Sequence, residues 1–352
     1  MSSNNTLFHN KHELLSEEIY NSSSMLPSRY VLVLTNKCNL NCSFCYQDKQ
    51  SDEKNMKTSD WIHVLEQLPE YARVTLTGGE PLVYNDFKNI FSKIACKFDC
   101  NIISNGLLLS EEIIDIMLSF ENFKVLSISI DDIGNKSRGV SEKQWKKLKN
   151  NLSYFIKKRD ELKLNTILDI KTLILDDNSN ELFDIYKYCR EILQCDTYAF
   201  QFLKGSALQH ADIMYEYEKI FEKPNTYVYR NLEDIKNELI KVQEYNTSKN
   251  KISYVHPNFL DLNTKSSLDI IDIINSPFHA SNFKKCIFPW SSVHINYDGE
   301  LFPCLSVSMG NVKDKSIENI MFGETYNKFK TELKEGLALA CSRCGWLKLN
   351  EE

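Results

Sequence analysis

The chain has 352 residues, 42% of them apolar, enough for about two domains of ordinary size. Its net charge of −6 and pI of about 5.8, with no basic tract to meet phosphates, argue against a nucleic-acid partner. No apolar run approaches the roughly 18 residues that cross a bilayer, and the polar opening lacks a signal-peptide core, so the expectation is a cytoplasmic protein without membrane contact. In that reducing compartment the eleven cysteines are better candidates for metal binding or catalysis than for disulfides.

Residues 1–28 read as a flexible leader. From there apolar runs alternate with helical stretches. The strand candidates are RYVLVLT, RVTLTGG, CNIISNG, KVLSISIDD, ILDIKTLIL and TYAFQFLKG. The five stretches between them carry apolar residues at helical spacing, several behind a capping Ser, Thr or Asn. Six strands alternating with five helices predict an α/β fold, a partial (β/α)6 TIM-like barrel over 29–205, with its site at the C-terminal ends of the strands. Cys38, Gly78-Gly79, Ser104-Asn105, Asp131 and Lys204-Gly205 all follow strands. On strand four, Ser127, Ser129 and Asp131 share one face and Leu126, Ile128 and Ile130 the other, which predicts an apolar face toward helices and a polar face toward a ligand. Residues 206–280 read as a charged helical connector or lid, and 281–352 as a small C-terminal α+β domain.

The stretch TNKCNLNCSFCYQDK carries Cys38, Cys42 and Cys45 as C-x3-C-x2-C behind strand one. A closed zinc site wants four ligands and a disulfide framework an even number, so three thiols leave a partial zinc site, reactive surface thiols, or an iron–sulfur cluster with one open iron. With Phe44 before the last cysteine and GGEP, SNG and SIDD at successive strand ends, the pattern resembles the radical S-adenosylmethionine (SAM) superfamily. The resemblance implies a 4Fe–4S cluster whose open iron is chelated by SAM. Reductive cleavage of SAM then yields a 5′-deoxyadenosyl radical that takes hydrogen from a C–H bond. It also implies SAM contacts from Phe44, Gly78, Gly79, Glu80, Pro81, Ser104, Asn105, Ser129 and Asp131, with Arg138 facing the SAM carboxylate. The glycines suit close backbone approach to a ligand, and Pro81 a helix start.

Cys286, Gly299 and Cys304 stand at a spacing that resembles the opening of SPASM and twitch domains, and ACSRC adds Cys341 and Cys344. HINYDGELFPC predicts a hairpin that returns Cys304 to Cys286. Four ligands, with no cysteine after Cys344, imply one auxiliary 4Fe–4S cluster in a twitch-type domain; four thiolates in two pairs also suit a structural zinc. Cys96, Cys100, Cys189 and Cys195 read as spectators, and His210 and His294 as structural.

The resemblance speaks to radical generation and leaves the substrate open between a peptide or protein side chain and a small alcohol, sugar or aminocyclitol. A non-catalytic iron–sulfur or zinc protein is the reading from another class. The chemistry implies a low-potential donor such as flavodoxin or ferredoxin. Alternation on strand five groups Asn165, Asp169 and Lys171 on one face, where Asp169 and Lys171 are either a mutual pair or acid/base groups for the substrate; Lys204 is a further candidate.

Overall fold

A computed structural model describes residues 14–47, 55–262 and 265–350. Residues 1–13 of the expected leader, the last two residues of the quoted cysteine stretch and the final two of the chain lie outside the described residues. In chain order, α1 (residues 14–21) precedes β1 (Arg29–Val33), α2 (Thr58–Glu66), β2 (Arg73–Thr77), α3 (Phe87–Lys97) and β3 (Asp99–Ser104). Then come α4 (Glu111–Leu118), β4 (Phe123–Ser129), α5 (Glu142–Glu161), β5 (Ile167–Ile174), α6 (Leu182–Glu191) and β6 (Thr197–Phe202). The remainder comprises α7 (Leu232–Lys249), β7 (Tyr254–His256), α8 (Phe288–Ser291), β8 (Ser292–Ile295), β9 (Glu300–Phe302), β10 (Gly310–Asn311), α9 (Ile317–Met321) and α10 (Glu324–Glu335). No described helix is long and apolar enough to cross a membrane.

The six expected strands lie side by side and parallel, with helices between them. Local signals explain the helix starts: Ser110 caps α4 by accepting from the Ile113 amide, and Ser141 with Gln144 forms a capping box on α5. The strand alternation is obeyed. Leu126, Ile128 and Ile130, with Leu168 and Ile170 beside them, are fully buried in one core with helix residues such as Phe91, Leu148 and Leu152. The opposite face carries a polar layer in which Ser127, Asp169 and Thr197 stand in register on β4, β5 and β6.

The sheet extends past six strands at both sides. Its order is β10-β9-β8-β1-β2-β3-β4-β5-β6-β7. The stretch read as a connector or lid makes a further β–α–β crossover: α7 packs on α6, Tyr186 donating to Asn246, and β7 pairs parallel with β6. The expected hairpin forms as β8 and β9, with His294 opposite Phe302, and β8 also pairs parallel with β1 over Arg29–Leu32. The C-terminal segment thus continues the barrel sheet.

The leader reading is corrected over 14–28. Residues 14–21 are helical, Ile19 is buried, Ser16 donates to Ser291 at 2.7 Å, and Tyr20 meets Trp290 edge-on at 4.9 Å. Leu15 and Ile19, four residues apart, give this helix an apolar side that packs into the hydrophobic core.

Candidate active site and cysteine centres

β1 delivers the chain to the sheet's C-terminal rim, where the loop bearing Cys38, Cys42 and Cys45 begins. Cys38 and Cys42 are half-buried and Cys45 is exposed, so the thiols sit at the opening. The loop is anchored at its base: the Gly79 amide donates to Thr35 O and the Glu80 amide to Lys37 O, each at 2.8 Å. A Cβ on Gly78 would lie 2.5 Å from Thr35 O, and one on Gly79 would lie 2.1 Å from Lys37 O. These glycines therefore let the second strand-end loop dock on the cysteine loop.

Glu80 and Asp131 lie among neighbouring strand-end loops. Both carboxylates are buried and taken by protein donors. Glu80 accepts from the Ser104 hydroxyl and the Asn105 amide at 2.8 Å and from the Leu82 amide at 3.1 Å. Burial pushes its pKa up to about 7 against the pull of those donors. Asp131 accepts from Arg138 Nε at 2.6 Å and the Leu173 amide at 2.7 Å; burial raises its pKa and Arg138 opposes the rise. Both groups tie neighbouring loops together. Arg138 accordingly pairs with a protein carboxylate, and its guanidinium lies 5.3 Å from the Phe44 ring centroid. Asn105 reaches the cysteine loop, donating to Asn39 at 2.8 Å with Cys38 Sγ 3.8 Å away. Ser129 adjoins Lys171 in register at the inner face. Pro81 opens a short 3-10 turn, Pro81–Val83, and α3 starts later at Phe87.

On that inner face Asp169 and Lys171 are a mutual pair at 3.1 Å. Asp169 also accepts from Ser127 at 2.8 Å and Thr197 at 2.7 Å. Burial works to raise its pKa, yet Lys171 and the two hydroxyls hold it below the ordinary carboxylate value. Asn165, expected on the same face, is exposed and precedes β5.

Lys204 lies just past β6, between the two cysteine sets. Its Nζ sits 4.0 Å from the Tyr46 ring centroid, beside Cys45, and donates to Gln209 O at 3.0 Å. Burial lowers its pKa to about 7, and the thiols of Cys344, Cys304 and Cys45 counter that fall. The next residues clamp the second set. Gln209 Nε2 donates to Ala340 O at 2.8 Å and Ser342 O at 2.6 Å, straddling Cys341, and the His210 amide donates to Cys304 O at 3.1 Å. A Cβ on Gly205 would strike Ser342 O at 2.3 Å, so this contact too requires glycine. Tyr46 and Gln209 had no signal in the sequence beyond adjacency to a motif. His210 Nδ1 and His294 Nε2 are 2.7 Å apart, with His294 Nδ1 2.6 Å from Pro303 O, as a buried structural pair would be.

Cys286, Cys304, Cys341 and Cys344 line one cavity of about 170 Å³, walled by Phe288, Leu333, Leu337 and Trp346. Burial raises all four thiol pKa values, that of Cys286 to about 12, and neighbouring thiols add to the rise at each of Cys286, Cys304 and Cys341. Thiols held in such surroundings, two buried and two partly buried, become thiolate ligands only where a metal supplies the compensating charge. A tetrahedral zinc needs all four sulfurs about 2.3 Å from one point. Among the described residues no three His, Cys, Asp or Glu side chains converge that way. The four thiols lining one cavity are a donor set that an iron–sulfur cluster takes and that chemically suits zinc as well. Cys100, Cys189 and Cys195 are buried away from either set and Cys96 is exposed.

Residues 32–188 match the radical SAM superfamily and residues 286–345 match SPASM, an iron–sulfur cluster-binding domain. The first implies a 4Fe–4S cluster with SAM and the second auxiliary iron–sulfur chemistry. The sporulation killing factor maturation protein SkfB of Bacillus subtilis (strain 168) is 30% identical over 204 residues, covering 55% of this chain and 47%, about half, of that relative. The tungsten-containing aldehyde ferredoxin oxidoreductase cofactor-modifying protein of Pyrococcus furiosus is 23% identical over 347 residues, 89% of this chain and 86% of that protein. The structure of Streptococcus suis SuiB bound to precursor peptide SuiA superposes with a TM-score of 0.63 over 94% of this chain and 75% of that one, at 16% identity, a likeness of fold. By its two matched domains, the chain belongs to the radical SAM superfamily and carries a SPASM iron–sulfur domain behind its barrel.

Proposed function

We propose that this protein is a radical SAM oxidoreductase of the maturase type, which oxidatively modifies a peptide or protein side chain. The observation that carries the reading is one juxtaposition: the three-thiol loop follows β1 at the C-terminal rim of the sheet whose polar face bears Asp169 and Lys171, and Lys204 lies beside Tyr46 of that loop and near Cys304 and Cys344 of the four-thiol cavity. The cluster with SAM, when bound at the first loop, supplies the 5′-deoxyadenosyl radical that removes a substrate hydrogen. The chain's own residues orient and shield. Cys38, Cys42 and Cys45 would hold the cluster; Gly78, Gly79, Ser104, Asn105, Ser129 and Phe44 would surround SAM, with Glu80 and Asp131 bracing their loops. Arg138 keeps a positive charge near Phe44, where a SAM carboxylate would meet it. Cys286, Cys304, Cys341 and Cys344 would hold the auxiliary cluster that accepts the second electron of the oxidation. A low-potential flavodoxin or ferredoxin would supply the first.

The peptide assignment is supported by the maturation protein that resembles the barrel half and by the peptide-bound structure that shares the fold. A radical dehydrogenase of a small alcohol or sugar is the second reading, favoured by the buried Asp169–Lys171 pair, whose scale suits a hydroxyl group. The test is anaerobic reconstitution, incubation with SAM and dithionite, and assay of 5′-deoxyadenosine, followed by mass spectrometry of short peptides encoded beside the gene. A mass loss on such a peptide supports the first reading; turnover of an aminocyclitol with the peptides untouched supports the second. Absence of 5′-deoxyadenosine would reduce the protein to a non-catalytic metal binder.

A further inference from the structure

The four-thiol cavity opens to the surface through a basic rim. Among the described residues, its charged lining consists of Lys284, Lys285 and Lys348 against one acid, Glu17, on a chain whose net charge is −6. The three lysines are exposed. The backbone gathers them: Lys284 and Lys285 immediately precede Cys286, and the Lys284 amide donates to Lys348 O at 2.8 Å beside the Phe283–Leu349 bridge. Cys286 and Cys304 are only partly buried, and Cys286 directly follows Lys284 and Lys285.

We propose that this rim is the docking surface of an acidic one-electron carrier protein of the flavodoxin or ferredoxin class, and that the auxiliary cluster discharges there. One electron leaves the reduced cluster, which returns to its oxidised form, and enters the oxidised carrier; no atom is transferred. Charge complementarity selects the carrier: clustered lysines on an otherwise acidic chain repel basic proteins where they stand and draw an acidic one to that face. The inference rests on the reading that the four-thiol site holds a redox cluster.

The test uses the full chain carrying Cys38→Ala, Cys42→Ala and Cys45→Ala, so that only the four-thiol site takes up iron. Iron content and the reduced-cluster EPR signal are recorded first. The dithionite-reduced protein is then mixed with oxidised flavodoxin in a stopped-flow instrument, and flavin semiquinone formation is followed. The expected second-order rate falls at least about tenfold between roughly 0.01 M and 0.15 M salt, because the Debye length shrinks from about 30 Å to about 8 Å. Combined Lys284→Glu, Lys285→Glu and Lys348→Glu is expected to slow the low-salt rate by a factor of about 10 or more and to flatten the salt dependence. The milder Lys→Ala triple is expected to fall between. A small neutral quinone serves as control and is expected to oxidise all three proteins at rates within about twofold. Flavodoxin rates indifferent to salt and to charge reversal, with iron in place, overturn the docking surface alone. Equal slowing with the quinone overturns it too, since the lysines then act on the cluster itself. A site without iron sinks the cluster reading and this inference together.

Discussion

Gly79→Ala tests whether the second strand-end loop positions the cysteine loop. The added methyl would sit 2.1 Å from Lys37 O, 2.5 Å from Lys37 C and 2.8 Å from Asn36 O, all backbone atoms that no rotamer change can move. Restoring ordinary contact needs about 1 Å of separation between the loops. The two hydrogen bonds at 2.8 Å that join them would then stretch beyond useful length. Overpacking at about 1–3 kcal/mol and two lost hydrogen bonds at about 1 kcal/mol each give a cost of about 3–5 kcal/mol, concentrated one residue before Cys38. Against a typical stability of about 5–15 kcal/mol the chain stays folded, so the damage should appear as a lost centre. After anaerobic reconstitution, iron should fall from about eight to about four per chain, and 5′-deoxyadenosine formation should drop at least about 100-fold. Gly336→Ala is the control: its φ of 173° is extended and nothing lies within 4 Å of the new methyl, so iron, activity and melting temperature should be unchanged. A Gly79→Ala protein with full iron and normal SAM cleavage would refute the docking argument.

Gln209→Leu removes the one amide that straddles Cys341 and leaves two buried carbonyls without it, at about 2–4 kcal/mol; the expected result is loss of the auxiliary iron with SAM cleavage retained, and retention of about eight irons per chain would contradict it. Asp169→Asn or Lys171→Met should leave uncoupled 5′-deoxyadenosine largely intact while lowering product by about 10²-fold, the scale of a positioned acid or base; normal product in both places the pair outside the chemistry. His256, pushed to a pKa of about 4 by burial and then by Lys171, binds fewer protons folded than unfolded between about pH 4 and 6.5. Its contribution is therefore full above about pH 6.5 and is lost as pH falls toward 4, by up to about 3 kcal/mol. Thermal melts across that window should show a steeper pH slope for the wild type than for His256→Gln, and parallel slopes would count against the assignment.

The alternating strands were legible because a sheet with one helix-covered face writes its period into the chain: Leu126, Ile128 and Ile130 announce one side and Ser127, Ser129 and Asp131 the other. The hairpin at Asp298-Gly299 was legible for a similar local reason. What β8 pairs with was not, since its neighbour β1 lies more than 250 residues upstream and nothing local encodes that partnership. β7 is three residues long, too short for a period to register. The partners of the strand-end carboxylates were not legible either. Glu80 and Asp131 each accept from backbone amides and side chains of neighbouring loops, contacts that no local pattern encodes. Lys204 was visible as a strand-end lysine; that it stands between two sets of thiols depends on the close approach allowed at Gly205, which only coordinates reveal.

The pairing of β8 with β1 fixes more than a fold. The strand that launches the first cysteine loop and the strand that lies between Cys286 and Cys304 are adjacent rungs of one hydrogen-bonded ladder. Sliding either against the other would break a row of backbone bonds at once, so the bases from which the two cysteine sets depart are held at the spacing of neighbouring strands. Tunnelling rates fall steeply with distance, so an electron exchanged between centres held there, as the proposed function requires, would cross a gap whose footing does not breathe. On that proposal, gating would fall to the approach of substrate rather than to the separation of the two strands.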